Sequence, residues 1–506
     1  MERQNTRVPG PRGGTAFDLV VIGGGAAGCV VAARTAAGGN RSVLLLEAGP
    51  DRRGALPAEF RDGWALPQRQ LDWGYASEPD ARGEVESVRR MKLLGGTSWL
   101  TRFAVRGSPA DYDGWAADGN PGWSFDDVLP YFTRLEADAE FSDRPWHGNH
   151  GPMPCARYPD LDLADVTGAA LEALPSVGIP HVEDHNQPGA VGAGRMPMSS
   201  RDGVRVTTAD AYLTADSSPA GLTIRAGAEV SDILFDGSRA SGIRLVDGTV
   251  IEAGWVALCA GVYGSPAILM RSGVGPANHL QSMAIPVRVD LPGVGSNLAD
   301  HPTVDVDCGA YRGRIRSAPI LHVIGTFHSS SCSAGGAPDL MFWISDPGGE
   351  PPTFEIAVVL LKPYSRGHVR LRSANQRQAP AITLPGLDHP ADVARLAEGY
   401  QRAQGLARSA GIARLTSGPS GPMPTERDAR AGVKAERYSL PHTMGTCAMG
   451  PRPQDGAVVD SNGGVHGTEG LTVIDASIMP DVISGFPHIP TVMIAERLSE
   501  VLASRV

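Results

Sequence analysis

Two kinds of residue in this 506-residue chain carry chemistry in their type and spacing. The first is a histidine, His442, in the stretch SLPHTMGTCAMG (residues 439–450), with Gly445 three positions on. A histidine so placed suits a packed core residue, a metal ligand or a catalytic base, and its neighbours do not choose among the three. The second is a glycine triplet, Gly23, Gly25 and Gly28, which fills G-x-G-x-x-G in FDLVVIGGGAAG.

The triplet is informative because of what surrounds it. Phe17 to Ile22 is a short β-branched run, as a buried parallel strand requires. An Ala-rich helix former follows, to about Ala37, and Ser42 to Leu46 forms a second apolar strand that ends at Glu47, Ala48 and Gly49. In that setting Gly23 permits the tight turn, Gly25 lets backbone approach a pyrophosphate, and Gly28 brings helix against strand. The helix N-terminus offers free N–H groups to phosphates. Glu47 is placed to accept from ribose hydroxyls and speaks against a 2′-phosphate. The motif leaves NAD and FAD equally open.

Composition sets the frame for these elements. The chain is too long for one ordinary core, so two domains are expected. A hydrophobic fraction of 42% and a charged fraction of 20% are those of a soluble globular protein. With 45 basic against 55 acidic residues, a net charge of −10 disfavours nucleic acid or an anionic membrane as partner. Six scattered cysteines without a CxxC pair read as reduced thiols of a cytoplasmic protein. The polar, Gly/Pro-rich start, residues 1–16, is expected to be a flexible tail, and no apolar run has the length of a membrane span. His147, His150, His181 and His185 fall in loop-forming sequence. The stretch EDHNQPG suggests a turn, and no H-x-E or HExxH spacing calls for a metal, so none is expected.

Further segments extend the pattern. RRMKLLGGTSWLTRFAVRGSPADYDGW (89–115) carries the pair Gly95-Gly96, whose N–H groups suit a bound cofactor. VALCAGVYGSPAILMRSGVG (256–275) reads as strand, glycine turn and helix. LTVIDASIMP (471–480) is another buried strand with Asp475 at its carboxyl end. HIPTVMIAERLSEVL (488–502) begins a last helix with Pro490 and Thr491 in its opening turn. Together with VGSNLADH and HTMGTCAMG, these motifs stand in the order found in the glucose–methanol–choline (GMC) family of FAD-dependent oxidoreductases, which nearly the whole chain resembles.

The resemblance implies FAD, and it places residues. Gly23, Gly25 and Gly28 would hold the pyrophosphate, Glu47 the adenosine ribose and Val230 the adenine side, with Ala26, Ala27 and Ala48 also at the cofactor. Trp73, Arg90, Gly95, Gly96, Thr97 and Thr101 would complete the cofactor site, with Asp475, Ala476, His488, Pro490 and Thr491 closing it. Members with covalently attached FAD carry a histidine near Leu100; none stands there, so non-covalent FAD is expected. The family's usual Asn after the GG-[ST]-S stretch is also missing, with Thr101 near its place.

His442 would be the base that takes an alcohol's hydroxyl proton, and His488 would share the oxygen while hydride passes to flavin N5. His301, in LADH, is expected to be structural. Trp99, Phe103, Phe342 and Trp343 are candidates for lining the substrate pocket.

The implied architecture is α/β: a discontinuous Rossmann-like FAD-binding domain from 17–152, 195–300 and 441–506, and an α+β substrate domain from 153–194 and 301–440. An antiparallel sheet, including Gly367–Ser373 and Pro338–Ile344, would roof the flavin. The implied function is FAD-dependent oxidation of an alcohol to aldehyde or ketone, with electrons passed to O2 or another acceptor. A hydroxynitrile lyase with structural FAD and a non-catalytic flavin-binding protein are the alternatives. The substrate side leans to a primary or secondary alcohol of aromatic, furanic or pyridoxine-like type.

Overall fold

The computed structural model describes residues 16–54, 69–158, 162–214, 219–314, 321–333 and 335–506. The expected tail lies outside the described residues except for Ala16, which opens the first strand. Buried apolar runs build the centre of the parallel part of a seven-stranded sheet, with the part-exposed Leu222–Arg225 at its edge. In chain order its strands are β1 (Ala16–Ile22), β2 (Val43–Leu46), β3 (Leu222–Arg225), β4 (Val230–Asp236), β5 (Arg239–Leu245), β6 (Val250–Leu258) and β7 (Leu471–Val473). Their spatial order is β3-β2-β1-β6-β5-β4.

β1 pairs in parallel with both β2 and β6. The other side of β6 is shared. Val250–Glu252 pair antiparallel with β5, and Val256–Leu258 pair parallel with β7. The chain therefore leaves β1, β2, β6 and β7 at one common edge, the carboxyl edge where such sheets take ligands.

Helices follow from that edge. α1 (Ala26–Ala36) leaves the glycine loop after β1, and α2 (Gly261–Arg271) follows β6. Nine of the eleven α1 residues are buried, which its small side chains allow by letting neighbours approach closely.

A second, six-stranded sheet is built wholly from antiparallel pairs. Its order is Tyr438–Ser439, Pro302–Ala310, Thr353–Leu360, Leu340–Ser345, His322–Phe327 and Ala193–Arg195. α3 (Pro390–Ala407) covers one face. Pro338–Ile344 supplies one of its central strands. The Gly367–Ser373 stretch does not join it: His368–Arg370 pairs with Ala381–Thr383 in a separate two-stranded ladder. Alternation reveals a strand there but not which sheet receives it.

The final helix, α4 (His488–Ala503), returns to pack on α1, with thirteen of its sixteen residues buried. The C-terminus is thus bound into the first core. Among the described residues no helix is long and apolar enough to cross a membrane.

Candidate active site

The carboxyl edge of the first sheet and the uncovered face of the second enclose one elongated cavity of about 820 Å³. Gly23, Gly25, Ala26, Ala27, Glu47, Ala48, Trp73, Arg90 and Val230 line one stretch of it. Gly96, Thr97, Thr101, Asp475, Ala476 and Thr491 also line it, as do His442 and His488. Gly28, Gly95 and Pro490 stand behind the wall. A side-chain carbon on Gly28 would sit 1.8 Å from the Gly23 carbonyl oxygen, so its role is to bring α1 against the loop, as its place in the motif suggests.

Several features of the wall suit a long, partly anionic ligand. α1 begins at Gly25 with no side-chain cap and no acid in its first turn, so its N–H groups and positive dipole end face the cavity uncompensated. Glu47 is buried. It accepts the Gly24 N–H at 2.9 Å and the Gly49 N–H at 2.8 Å, and burial raises its pKa. Each oxygen keeps a lone pair for a further donor. Asp475 is held by the N–H groups of Gly261 (2.9 Å) and Ser477 (2.8 Å) and by Ser265 Oγ at 2.6 Å. It thereby ties the turns after β6 and β7 together. Lys92, paired to Glu229 at 2.8 Å, lies over the Trp73 ring, which stacks on Tyr75.

His442 is presented by a clamp that the LADH segment makes on residues 439–445. Asp300 Oδ1 accepts the backbone N–H groups of His301 and His442, each at 2.8 Å, and Ser439 Oγ donates to Oδ2. Burial pushes the Asp300 carboxyl up to about 6. Ala299 and Met444 exchange backbone hydrogen bonds. Gly445 makes the approach possible. At φ +94° it takes a left-handed conformation, and a side-chain carbon there would meet the Asn297 carbonyl oxygen at 2.6 Å. Arg90 closes the clamp from the cofactor side, donating to Thr443 Oγ1 at 2.6 Å and to the Pro441 carbonyl at 3.0 Å.

The His442 ring meets His301 edge-on, with Nδ1 to Nδ1 at 3.1 Å. It also packs edge-on against Phe486 at 4.7 Å between centroids. Burial, then His301 and Arg90, hold its pKa well below the usual histidine range. His488 opens α4. Its Nε2 is buried and has no hydrogen-bond partner among the described residues, and burial with the nearby Arg205 guanidinium brings its pKa down to about 4. Both imidazoles are therefore neutral at physiological pH.

Of the four expected pocket aromatics, Phe103 and Trp343 line the cavity and Phe342 and Trp99 do not. Successive strand side chains point to opposite faces, so Phe342 and Trp343 were never able to share one pocket. Phe342 is fully buried on the α3 side beside Leu340 and Ile344, while Trp343 packs with Phe103 and Phe486. Trp99 turns inward against Met91 and Leu93, its indole N–H donating to the Leu94 carbonyl at 2.9 Å. Phe486 and Leu440 are wall residues without a sequence signal. His301, expected to be structural, directly contacts His442.

A second charged cluster lies apart from the cavity. Glu136, Asp138 and His147 bring their ligand-type atoms within 4.8 Å of one another, a spacing a metal would accept. The same carboxylates are, however, already taken by guanidinium groups. Arg106 pairs with Glu136, and Arg157 pairs at 2.9 Å with both Asp138 and Asp184. His147 Nδ1 meets Glu136 at 2.7 Å, and its Nε2 meets Asp184 at 2.9 Å. Two ring nitrogens facing carboxylates must both donate, so His147 is an imidazolium, and its pKa is raised. Three cations against three carboxylates leave the cluster neutral and ionic.

Fold and cavity together define a dinucleotide-binding protein with a histidine-lined chamber. Family models described as GMC oxidoreductase match residues 17–303 and 363–495. The chain is 33% identical to the 5-(hydroxymethyl)furfural oxidase of Methylovorus sp. (strain MP688), over 97% of this chain and 99% of that one. It is 32% identical to an oxygen-dependent choline dehydrogenase of Paraburkholderia phymatum, over 97% and 93%. The crystal structure of pyridoxine 4-oxidase from Mesorbium loti superposes with a TM-score of 0.88 at 29% identity, covering 96% of this chain and 99% of that one. The chain belongs to the GMC oxidoreductase family, whose flavoproteins use FAD, and it is an enzyme of that family.

Proposed function

We propose that this enzyme oxidises a primary or secondary alcohol whose carbinol carbon is carried on a flat aromatic, furanic or pyridoxine-like ring, giving the aldehyde or ketone. The observation that carries the reading is the meeting of His442, His488, Phe103, Trp343 and Phe486 on the wall of one cavity that also holds the glycine cradle. FAD would be held non-covalently by the Gly23–Gly28 loop, Glu47, Gly96, Thr97, Val230, Asp475, Ala476 and the start of α4. Leu100, where covalent members carry a histidine, offers no nucleophile.

Bound FAD would supply the two-electron oxidant for the carbinol carbon. His442, neutral and held from behind, accepts the hydroxyl proton through its cavity-facing nitrogen. His488, with a buried nitrogen in want of a partner, positions the same oxygen and stabilises the charge that develops on it. Phe103, Trp343 and Phe486 present ring edges and faces that grip a flat substrate and exclude water. A choline-type cation is disfavoured. The cavity-lining carboxylates among the described residues are Glu47, Glu229 and Asp475, which belong to the cofactor cradle and already hold donors. Six free thiols support a cytoplasmic setting.

An anaerobic panel of alcohols tests this. Ring-bearing alcohols should bleach the oxidised flavin band, aliphatic and quaternary-ammonium alcohols should not, and the rate on readmitting oxygen sorts oxidase from dehydrogenase. His442→Ala should lower the reduction rate at least ~100-fold at unchanged flavin content, as loss of a positioned base requires. A panel that leaves the flavin oxidised while a cyanohydrin is cleaved would instead make this a lyase, and inertness to every compound would make it a flavin-binding protein.

A further inference from the structure

His442 is a base only in one of its two neutral forms, the one with its hydrogen on Nδ1 and a bare Nε2 toward the cavity. An unconstrained neutral histidine leans the other way, with its hydrogen on Nε2. Something must therefore choose, and the hydrogen bonds behind the ring allow only one choice. His301 Nε2 lies 3.0 Å from the carbonyl oxygen of Ile483. A carbonyl only accepts, so His301 carries its hydrogen on Nε2 and presents a bare Nδ1. That Nδ1 stands 3.1 Å from Nδ1 of His442, and a short contact between two ring nitrogens needs one hydrogen between them. The hydrogen must come from His442.

We infer that His301 is a positioning residue that sets the tautomer of His442, relaying the fixed polarity of the Ile483 carbonyl so that the bare nitrogen of His442 faces the substrate.

The relay holds only while His301 is neutral, because an imidazolium would donate from Nδ1 and reverse the polarity. His301 is fully buried, and the charges near it are those of Lys362, Asp111 and the adjoining Asp300, with Arg90 near His442. Burial, with the Lys362 ammonium, outweighs the Ile483 and Leu361 backbone groups and Asp111 and brings its pKa down to about 4. Asp300 spends its oxygens on backbone N–H groups and Ser439, not on either ring. Among the described residues neither imidazole has a carboxylate as hydrogen-bond partner. This inference rests on His442 as base for its kinetic consequence, but not for the tautomer itself.

The experiment uses the holoenzyme with nitrogen-15-labelled histidine, the His442 signals assigned by their loss in His442→Gln. Wild type should show a protonated Nδ1 and a bare Nε2 at neutral pH. His301→Leu should move the hydrogen to Nε2. With whichever alcohol reduces the wild-type flavin fastest, it should lower the reduction rate ~10–100-fold while changing the alcohol's dissociation constant less than about twofold, since a misprotonated base costs rate rather than binding. His301→Gln can donate to Ile483 with its amide nitrogen and accept from His442 with its oxygen. It should restore both the tautomer and the rate to within about fivefold. A bare Nδ1 in the wild type overturns the proposal even if His301→Leu fails to fold, and so does a His301→Leu enzyme with unchanged tautomer and rate. If the tautomer behaves as described while His442→Ala still reduces flavin at full rate, the base assignment fails and the relay stands.

Discussion

Two histidine clusters lie buried in this molecule, and they are in opposite charge states. His147 has a carboxylate at each ring nitrogen and two arginines balancing the remaining charge. His442, His301 and His488 have a ring nitrogen, a carbonyl and an open cavity instead. Burial disfavours the charged form in both places. In the first, direct donation to Asp184 and Glu136 overcomes it, and the pKa rises. In the second, neighbouring rings and the Arg90 and Arg205 guanidinium groups add to it, and the pKa values fall. One cluster is a staple, joining Arg106, Glu136 and Asp138 to Arg157 and Asp184. The other leaves its rings neutral, with His442 and His488 on the cavity wall. What decides between glue and chemistry is the partner set of each ring, not its burial.

The largest test of that contrast is His147→Leu. It leaves three buried carboxylates against two guanidinium groups and should cost about 3–5 kcal/mol of unfolding free energy, as removal of one partner from a buried ionic cluster does. Denaturant titration measures it, and a change under ~1 kcal/mol would dissolve the distinction.

A smaller effect is read in pH. Because His147 binds its proton more tightly folded than unfolded, its stabilisation is complete below the ordinary histidine pKa and is lost as pH rises through the raised folded value. His442, His301 and His488 have lowered values, so they act in the opposite sense. Their contribution is complete above the ordinary value and drains away as pH falls toward the lowered ones. Stability should therefore decline on both flanks. His147→Leu should flatten the alkaline flank, while alcohol-dependent flavin reduction stays level through the ordinary histidine pKa.

The smallest expected change is in His488→Leu. It removes a buried nitrogen that has no partner among the described residues, so unfolding free energy should shift by less than ~1 kcal/mol while flavin reduction slows. A large loss of stability would give His488 a structural part like that of His147.

Much of the first core was legible in sequence because its demands are local. Strand, glycine turn, helix and acid must follow in a set spacing, and the structure places Gly23, Gly25, Glu47, Asp475 and Thr491 on one cavity wall. What escaped depends on partners remote in sequence. His301 and His442 are 141 residues apart, and the ionic cluster gathers charges from Arg106 to Asp184. Phe342 is a different lapse. The two-residue strand period was available and excluded it from the face that Trp343 occupies. Trp99 follows a glycine pair, and only the fold shows its ring turned beneath the loop.

The amide carbonyl of Ile483 is a dead end for protons, since it holds a hydrogen bond but does not ionise. A base backed by such a group has no route inward for what it collects. On the reading of His442 as base, a proton taken up by its cavity-side nitrogen would have to return to the cavity and not pass inward through His301.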